Sequence, residues 1–279
     1  MSGAPGQGGT GSRQRWEAGA QRRLRAFVGA EAGLPTTALG NPCIVSRVEG
    51  PPASPPGPAD TTQCSTWPLA DRLAGVRCFT DQGRDIQCCG HGLLCCAALW
   101  LAQWGGEGRL TMAGTSVRCR QDTTLTWLAF PRVTCSPCAV PPWAFSVLGS
   151  MPEAAAITGG HDGYLIVRFA DDFPLRSLAL PDTTLAKHTQ RAVIATCRST
   201  AKAPGAVQLR YFAPQYATAE DSATGSALRI LADYWASQDG IQRLSAAQRS
   251  PRGGQLYSRV EAESVWVGGR VIAEAVDGH

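Results

Sequence analysis

The 279-residue sequence predicts an α+β fold built from two similar halves, each a set of short strands around one buried helix. Three observations lead there. A pattern occurs twice. Val76-Arg77-Cys78-Phe79-Thr80 is followed by Cys89-Gly90-His91-Gly92 and the apolar run to Trp100. Leu209-Arg210-Tyr211-Phe212-Ala213-Pro214 is followed by Thr224-Gly225-Ser226-Ala227 and the run to Trp235. His91 and Ser226 each lie nine residues before the closing Trp. The interval is too long for a solenoid, whose period is about 20–50 residues, and points to a duplicated half. Second, Leu93–Trp104 is apolar on nearly all sides, as in a helix enclosed by protein. Third, the flanking stretches alternate apolar and polar with period two, as half-buried strands do.

In chain order, residues 1–22 are Gly-, Ser- and Arg-rich and read as a flexible tail. Leu24–Val28 starts the first strand, Gly40-Asn41-Pro42 makes a turn, and Cys43–Val48 is the second apolar stretch. Residues 50–60, GPPASPPGPAD, form a loop because proline removes backbone donors and restricts its neighbours. Cys64 follows, then a strand pair at 76–80 and 86–89, then the first helix. Residues 109–131 alternate as strands. The prolines at 137, 141 and 142 mark the boundary between an N-terminal half, 23–142, and a C-terminal half, 143–279. Tyr164–Phe169, Ala192–Cys197 and Val207–Phe212 read as strands and Ser226–Ser237 as the second buried helix. Gln255–Val260, Ser264–Val267 and Arg270–Val276 complete the chain, the last strand free to pack back on the N-terminal half.

Composition narrows the function. Hydrophobic content of 44% and charged content of 17% are globular values. A net charge of +4 with scattered arginines gives no basic face, which argues against nucleic acid. No apolar run of about 18 residues suggests a membrane span, and residues 1–24 contain no apolar signal core. Eleven cysteines, an odd count with vicinal pairs at 88–89 and 95–96, fit reduced thiols in a cytoplasm better than a disulfide framework. Cys135-Ser136-Pro137-Cys138 could bind zinc with Cys88, Cys89 or Cys119, but no second C-x-x-C stands at ribbon spacing. No metal or cofactor is expected.

The order GNP (40–42), RCFT (77–80), CGHG (89–92), RYFAP (210–214), ED-x-x-TGSA (220–227) and Q-x-S-x-RGG (248–254) resembles the phenazine-biosynthesis isomerase (PhzF-like) family, over about residues 24–279. The resemblance implies the diaminopimelate-epimerase-like fold: two pseudo-symmetric halves, each a curved, mostly antiparallel sheet or barrel around a central helix, with the active site between them. It also implies a cofactor-independent isomerase that moves a proton on a small carboxylate metabolite. Monomer and homodimer both stay open.

His91 sits between Gly90 and Gly92 at a helix start, where free N–H groups and the positive dipole end favour anions. Thr224, Gly225 and Ser226 offer matching donors, and a plain helix cap is the simpler reading of the same residues. Asp221 matches the family's active-site aspartate; without that pattern it would read as a solvated loop carboxylate beside Glu220. The sequence departs from the family at the proton-shuttling glutamate, where Gln63-Cys64-Ser65-Thr66-Trp67 places Cys64. A thiol with its pKa lowered from ~8.5 could act there. Asp60 is the alternative base, Cys89 a second thiol candidate, and a catalytically silent carboxylate binder the reading from another class. The expected catalytic residues are Cys64, His91 and Asp221, with Gly90, Gly92, Thr224, Gly225 and Ser226 binding substrate.

Overall fold

The computed structural model describes residues 16–29, 38–181, 184–200, 204–214 and 219–274. The first half contains β1 (Gln21–Ala26), β2 (Asn41–Arg47), β3 (Thr62–Ala70), β4 (Leu73–Phe79) and the short β5 (Asp85–Ile86). Helix α1 (Gly90–Trp104) follows, then β6 (Glu107–Met112), β7 (Thr115–Gln121) and β8 (Thr126–Pro131). The chain continues through β9 (Ser136–Cys138), α2 (Ala144–Leu148), β10 (Ala154–Thr158), β11 (Tyr164–Arg168), α3 (Leu185–His188), β12 (Ala192–Arg198) and β13 (Ala206–Phe212). It ends with α4 (Gly225–Asp239), β14 (Arg243–Gln248), β15 (Gly254–Val260), β16 (Ser264–Gly269) and β17 (Val271–Ala273).

Strand pairing shows the duplication more fully than the sequence pattern does. β2 runs parallel to β3, β3 antiparallel to β4, β4 parallel to β6 across α1, and β6, β7 and β8 form an antiparallel meander. The second half repeats each step: β11 parallel to β12, β12 antiparallel to β13, β13 parallel to β14 across α4, then β14, β15 and β16 antiparallel. β8 and β16 pair with each other in register from Thr126 opposite Gly269 to Pro131 opposite Ser264, which fuses the two sheets. Each half also lends one strand: β9 pairs with β10, and β17 pairs with β1. The sequence placed β9 before its boundary, yet its hydrogen bonds belong to the second sheet. The architecture is the α+β pseudo-symmetric arrangement expected.

Element boundaries moved where local signals were weak. α1 begins at Gly90, and of the expected strand at 86–89 only Ile86 is paired, together with Asp85 before it. The tail expected over 1–22 lies outside the described residues up to residue 15, while Gln21 and Arg22 already belong to β1. Among the described residues no helix is long and apolar enough to cross a membrane.

Both central helices are 15 residues long, and each buries its closing tryptophan, Trp100 at 1% and Trp235 at 0% exposure. One continuous apolar cluster includes Leu93, Leu94, Ala97 and Trp100 of α1 with Ala227, Leu228, Leu231 and Trp235 of α4. A satellite cluster sits under α2 and the loop to β12, around Leu148, Phe169 and Phe212. Arg210 on β13 carries a buried ion pair that reaches the loop before α4. Its Nε and Nη2 donate to Glu220 Oε1 and Oε2 at 2.7 and 2.8 Å, and Nη1 donates to the carbonyls of Leu175 and Leu178 at 3.2 and 2.7 Å. Both side chains are under a tenth exposed, so neither charge can fall back on water. Glu220 is therefore a buried anchor, not a solvated loop carboxylate.

Removing one partner should be costly, because it strands the other charge in the interior. Arg210→Met should lower unfolding free energy by about 3–5 kcal/mol in urea titrations, and Arg210→Met with Glu220→Leu should recover much of it. Equal loss in the single and double variants would contradict the pairing.

Candidate active site

The two long helices start face to face. Their N-cap residues, Cys89 and Thr224, are extended, with φ/ψ of −130°/92° and −113°/99°, and neither side chain caps its helix. A Cβ added at Gly90 would stand 3.5 Å from Gly225 Cα and 3.7 Å from Ser226 N, so little more than a methyl group separates the two starts. Phe27 holds this approach from the side, its ring against the Gly225 backbone. The first-turn N–H groups of both helices, with both positive dipole ends, thus meet at one point. A cavity of about 480 Å³ opens above it, lined by Gly90, His91, Asp221, Thr224, Gly225 and Ser226 among others.

Asp221 is fixed from several directions. Asn41 Nδ2 donates to Asp221 Oδ1 at 2.8 Å and to the Ala223 carbonyl at 2.9 Å. Thr224 Oγ1 donates to Asp221 Oδ2 at 2.7 Å, which uses the hydroxyl that could otherwise have capped α4. Gln248 Nε2 donates to the Asp221 carbonyl at 2.6 Å, while Gln248 Oε1 accepts from Thr224 N at 2.7 Å. Gln248 is fully buried and Asn41 nearly so. These two residues stood in the quoted motifs, GNP and Q-x-S-x-RGG, but residue-by-residue reasoning gave them no role. Their partners lie 180 and 27 residues away, and only the fold joins them.

His91 is half-buried beside Cys89, whose Sγ lies 3.7 Å from His91 Nδ1. Burial works against the imidazolium, but the Cys89 sulfur and the Asp221 carboxylate outweigh it and raise the His91 pKa from 6.5 to about 9. The charged imidazole is thus favoured by the Cys89 sulfur and, to a smaller extent, by Asp221. Arg252, from the RGG segment, adds a second cationic side chain to the lining, and Tyr211 an aromatic one.

Cys64 is not in this group. In the β3–β4 register it stands opposite Cys78, fully buried, and the two sulfurs form a disulfide. It does not line the cavity, so the expectation that it faces the substrate is corrected, and with it the expectation that every thiol is reduced. The cause is strand alternation: on β3 the Cys64 side chain turns inward beneath α1 and away from the cleft. Gly92 is likewise a packing residue and not part of the lining. A Cβ there would overlap Cys64 Sγ and come within 2.8 Å of Cys89 Sγ and 3.0 Å of Cys78 Sγ. Asp60, the alternative base, does line the cavity, but Arg23 binds both its oxygens at 2.8 and 2.9 Å. Hydrogen bonding to Arg23 lowers the Asp60 pKa, which makes it a weaker base.

Among the described residues, Cys64, Cys78 and Cys89 are the set whose ligand atoms lie close enough to hold a metal ion, within 4.8 Å of one another. With Cys64 and Cys78 joined, that set offers a single thiol and does not suit a metal. Cys135 and Cys138 gather no third ligand among the described residues.

Residues 67–276 match the family model described as phenazine biosynthesis-like protein, PhzC-PhzF. The chain is 31% identical over 199 residues to an uncharacterized isomerase of Pseudomonas aeruginosa, covering 70% of this chain and 73% of that one. It is 31% identical over 189 residues to an uncharacterized isomerase of Vibrio cholerae, covering 67% and 63%. Among solved structures, a phenazine biosynthesis PhzF family protein of Enterococcus faecalis superposes with a TM-score of 0.73 at 24% identity, covering 92% of this chain and 98% of that one. A hydroxyproline epimerase of Agrobacterium vitis, with bound trans-4-hydroxy-L-proline, superposes at 0.52 with 13% identity over 94% and 92%, which is a likeness of fold. With three quarters of its length matched to one family model, the chain belongs to the phenazine biosynthesis-like, PhzC-PhzF family.

Proposed function

We propose that this isomerase moves a proton between carbons of a small carboxylate held between the starts of α1 and α4. The observation that carries the reading is the meeting of two uncapped helix N-termini beside His91 and Asp221 in one cavity. Backbone N–H groups and two dipole ends bind the carboxylate and stabilise the negative charge that spreads onto it when a neighbouring C–H is deprotonated. Cys89 and His91 hold the mobile proton: the sulfur takes it from one carbon, and the pair returns it to another. Asp221, immobilised by Asn41 and Thr224, keeps His91 charged and oriented. Every proton removed is given back, so the reaction needs no external acid, oxidant or cofactor.

The buried, disulfide-bonded Cys64 favours one competing reading, a carboxylate binder that has lost its shuttle. Proton exchange separates the two. Incubation with candidate small carboxylates in deuterium oxide, followed by NMR, should show carbon-bound protons replaced in wild type and retained in Cys89→Ser. Binding with neither exchange nor isomerised product in wild type would establish the silent binder.

Three further outcomes are expected. Ser226→Ala should weaken carboxylate binding by about 1.5–3 kcal/mol in calorimetry if its hydroxyl donates to the charged group. Asp221→Asn should lower kcat by a larger factor than it raises KM, because orientation of the reacting centre is expressed in the transition state. The pH dependence follows from His91, whose folded-state pKa of about 9 exceeds its ordinary 6.5. The stabilisation from its charge is complete below about pH 6.5 and disappears as pH rises through 9. Carboxylate affinity and stability should fall together over that window, and His91→Gln should remove the pH dependence. An affinity unchanged between pH 7 and 10 would contradict the assignment.

A further inference from the structure

Below the floor of the cleft three sulfurs gather, with the Sγ atoms of Cys64, Cys78 and Cys89 all within 4.8 Å of one another. They differ in access. Cys64 and Cys78 are joined and fully buried, whereas Cys89 is a free thiol that, at 4% exposure, lies at the wall of the cavity. Gly92 makes the cluster feasible, since any side chain there would wedge the sulfurs apart. A small thiol entering the cleft meets Cys89 and cannot reach the disulfide directly. Behind the disulfide, Cys43 Sγ points at Cys64 Sγ from 3.7 Å and is itself fully buried.

We propose that Cys89 relays electrons between small thiols in the cleft and the buried Cys64–Cys78 disulfide, so that thiol exchange and the chemistry of the cleft draw on the same sulfur. Cys89 passes its proton to the adjacent His91, and its sulfur attacks Cys78 Sγ. The Cys89–Cys78 bond forms and the Cys64–Cys78 bond breaks. Cys64 departs with the electron pair, accepts a hydrogen bond from Cys43, and then takes a proton. A low-molecular-weight thiol of the glutathione class then attacks Cys89 Sγ from the cleft, freeing the Cys78 thiol. A second such thiol resolves the mixed disulfide and restores Cys89. In sum, one protein disulfide becomes two thiols and two small thiols become one disulfide, a two-electron exchange. While Cys89 is bonded to Cys78 or to a small thiol, it cannot carry the proton with His91. This consequence rests on the proposed function, but the exchange itself does not.

The test follows linkage instead of turnover. The full chain, first incubated with glutathione disulfide, is treated with reduced glutathione under native conditions and sampled by differential alkylation and tandem mass spectrometry. In wild type the Cys64–Cys78 linkage should open. In Cys89→Ser, with its fold checked by circular dichroism, opening should be slower by on the order of tenfold or more, because the attacking thiol is missing. In urea the two proteins should open at the same rate. Cys43→Ala should keep the wild-type ability to open. Oxidised Cys64→Ser should trap a Cys78–Cys89 cross-link, and where that variant does not fold, the Cys89→Ser comparison decides alone. Native opening as fast in Cys89→Ser as in wild type, or absence of the Cys64–Cys78 linkage after oxidation, would overturn the relay. Because disulfide opening is read directly, the relay can stand where proton exchange is absent, and can fail where it is present.

Discussion

At Gly90 and Gly225 the backbones of two buried helices come within contact of each other, and the surroundings are arranged around that approach. A helix start exposes unpaired donors and a partial positive charge, and two starts together in an apolar core would be unfavourable without an anion or water to receive the donors. The chain places the contact at the edge of a cavity, so that a ligand can do so. Phe27, Trp100 and Trp235 supply the apolar frame, and the paired strands β8 and β16 keep the halves from sliding.

A second constraint is the fixing of Asp221. Its loop is anchored by the buried Arg210–Glu220 pair, and its carboxylate is engaged by Asn41 from the other half and Thr224 from the helix start. Gln248 ties the backbone of the same loop to β14. Such a network is unfavourable when half satisfied and rigid when complete, which holds the Asp221 carboxylate in one place at the cavity. The Asn41 contact also joins the halves chemically, so the site cannot form in either half alone.

The sulfurs add a feature that the apolar core does not require. The disulfide sits where a thiol base was expected, and in the proposed mechanism the reactive position passes to Cys89 at the start of α1. The same side chain thereby touches the cleft on one side and the disulfide on the other. Proton transfer and thiol exchange would then compete for one sulfur.

The sequence by itself determined what short-range patterns encode. The repeat ending at Trp100 and Trp235, the all-round apolar helices and the period-two stretches specify α+β halves, because periodicity reflects which faces are buried. It also singled out His91, Asp221 and Ser226, in compact motifs at or just before helix starts, and the structure brings all three to one cavity. Tertiary structure decided what depends on distant partners. The exchange of β9 and β17 between halves, the contacts of Asn41 and Gln248 with the Asp221 loop, and the inward turn of Cys64 toward Cys78 are set by sheet register and by partners as distant as Leu24 and Ala273. A motif can place a residue on a strand, but only the neighbouring strand determines which sulfur lies opposite it. That difference turned the expected base into half of a disulfide.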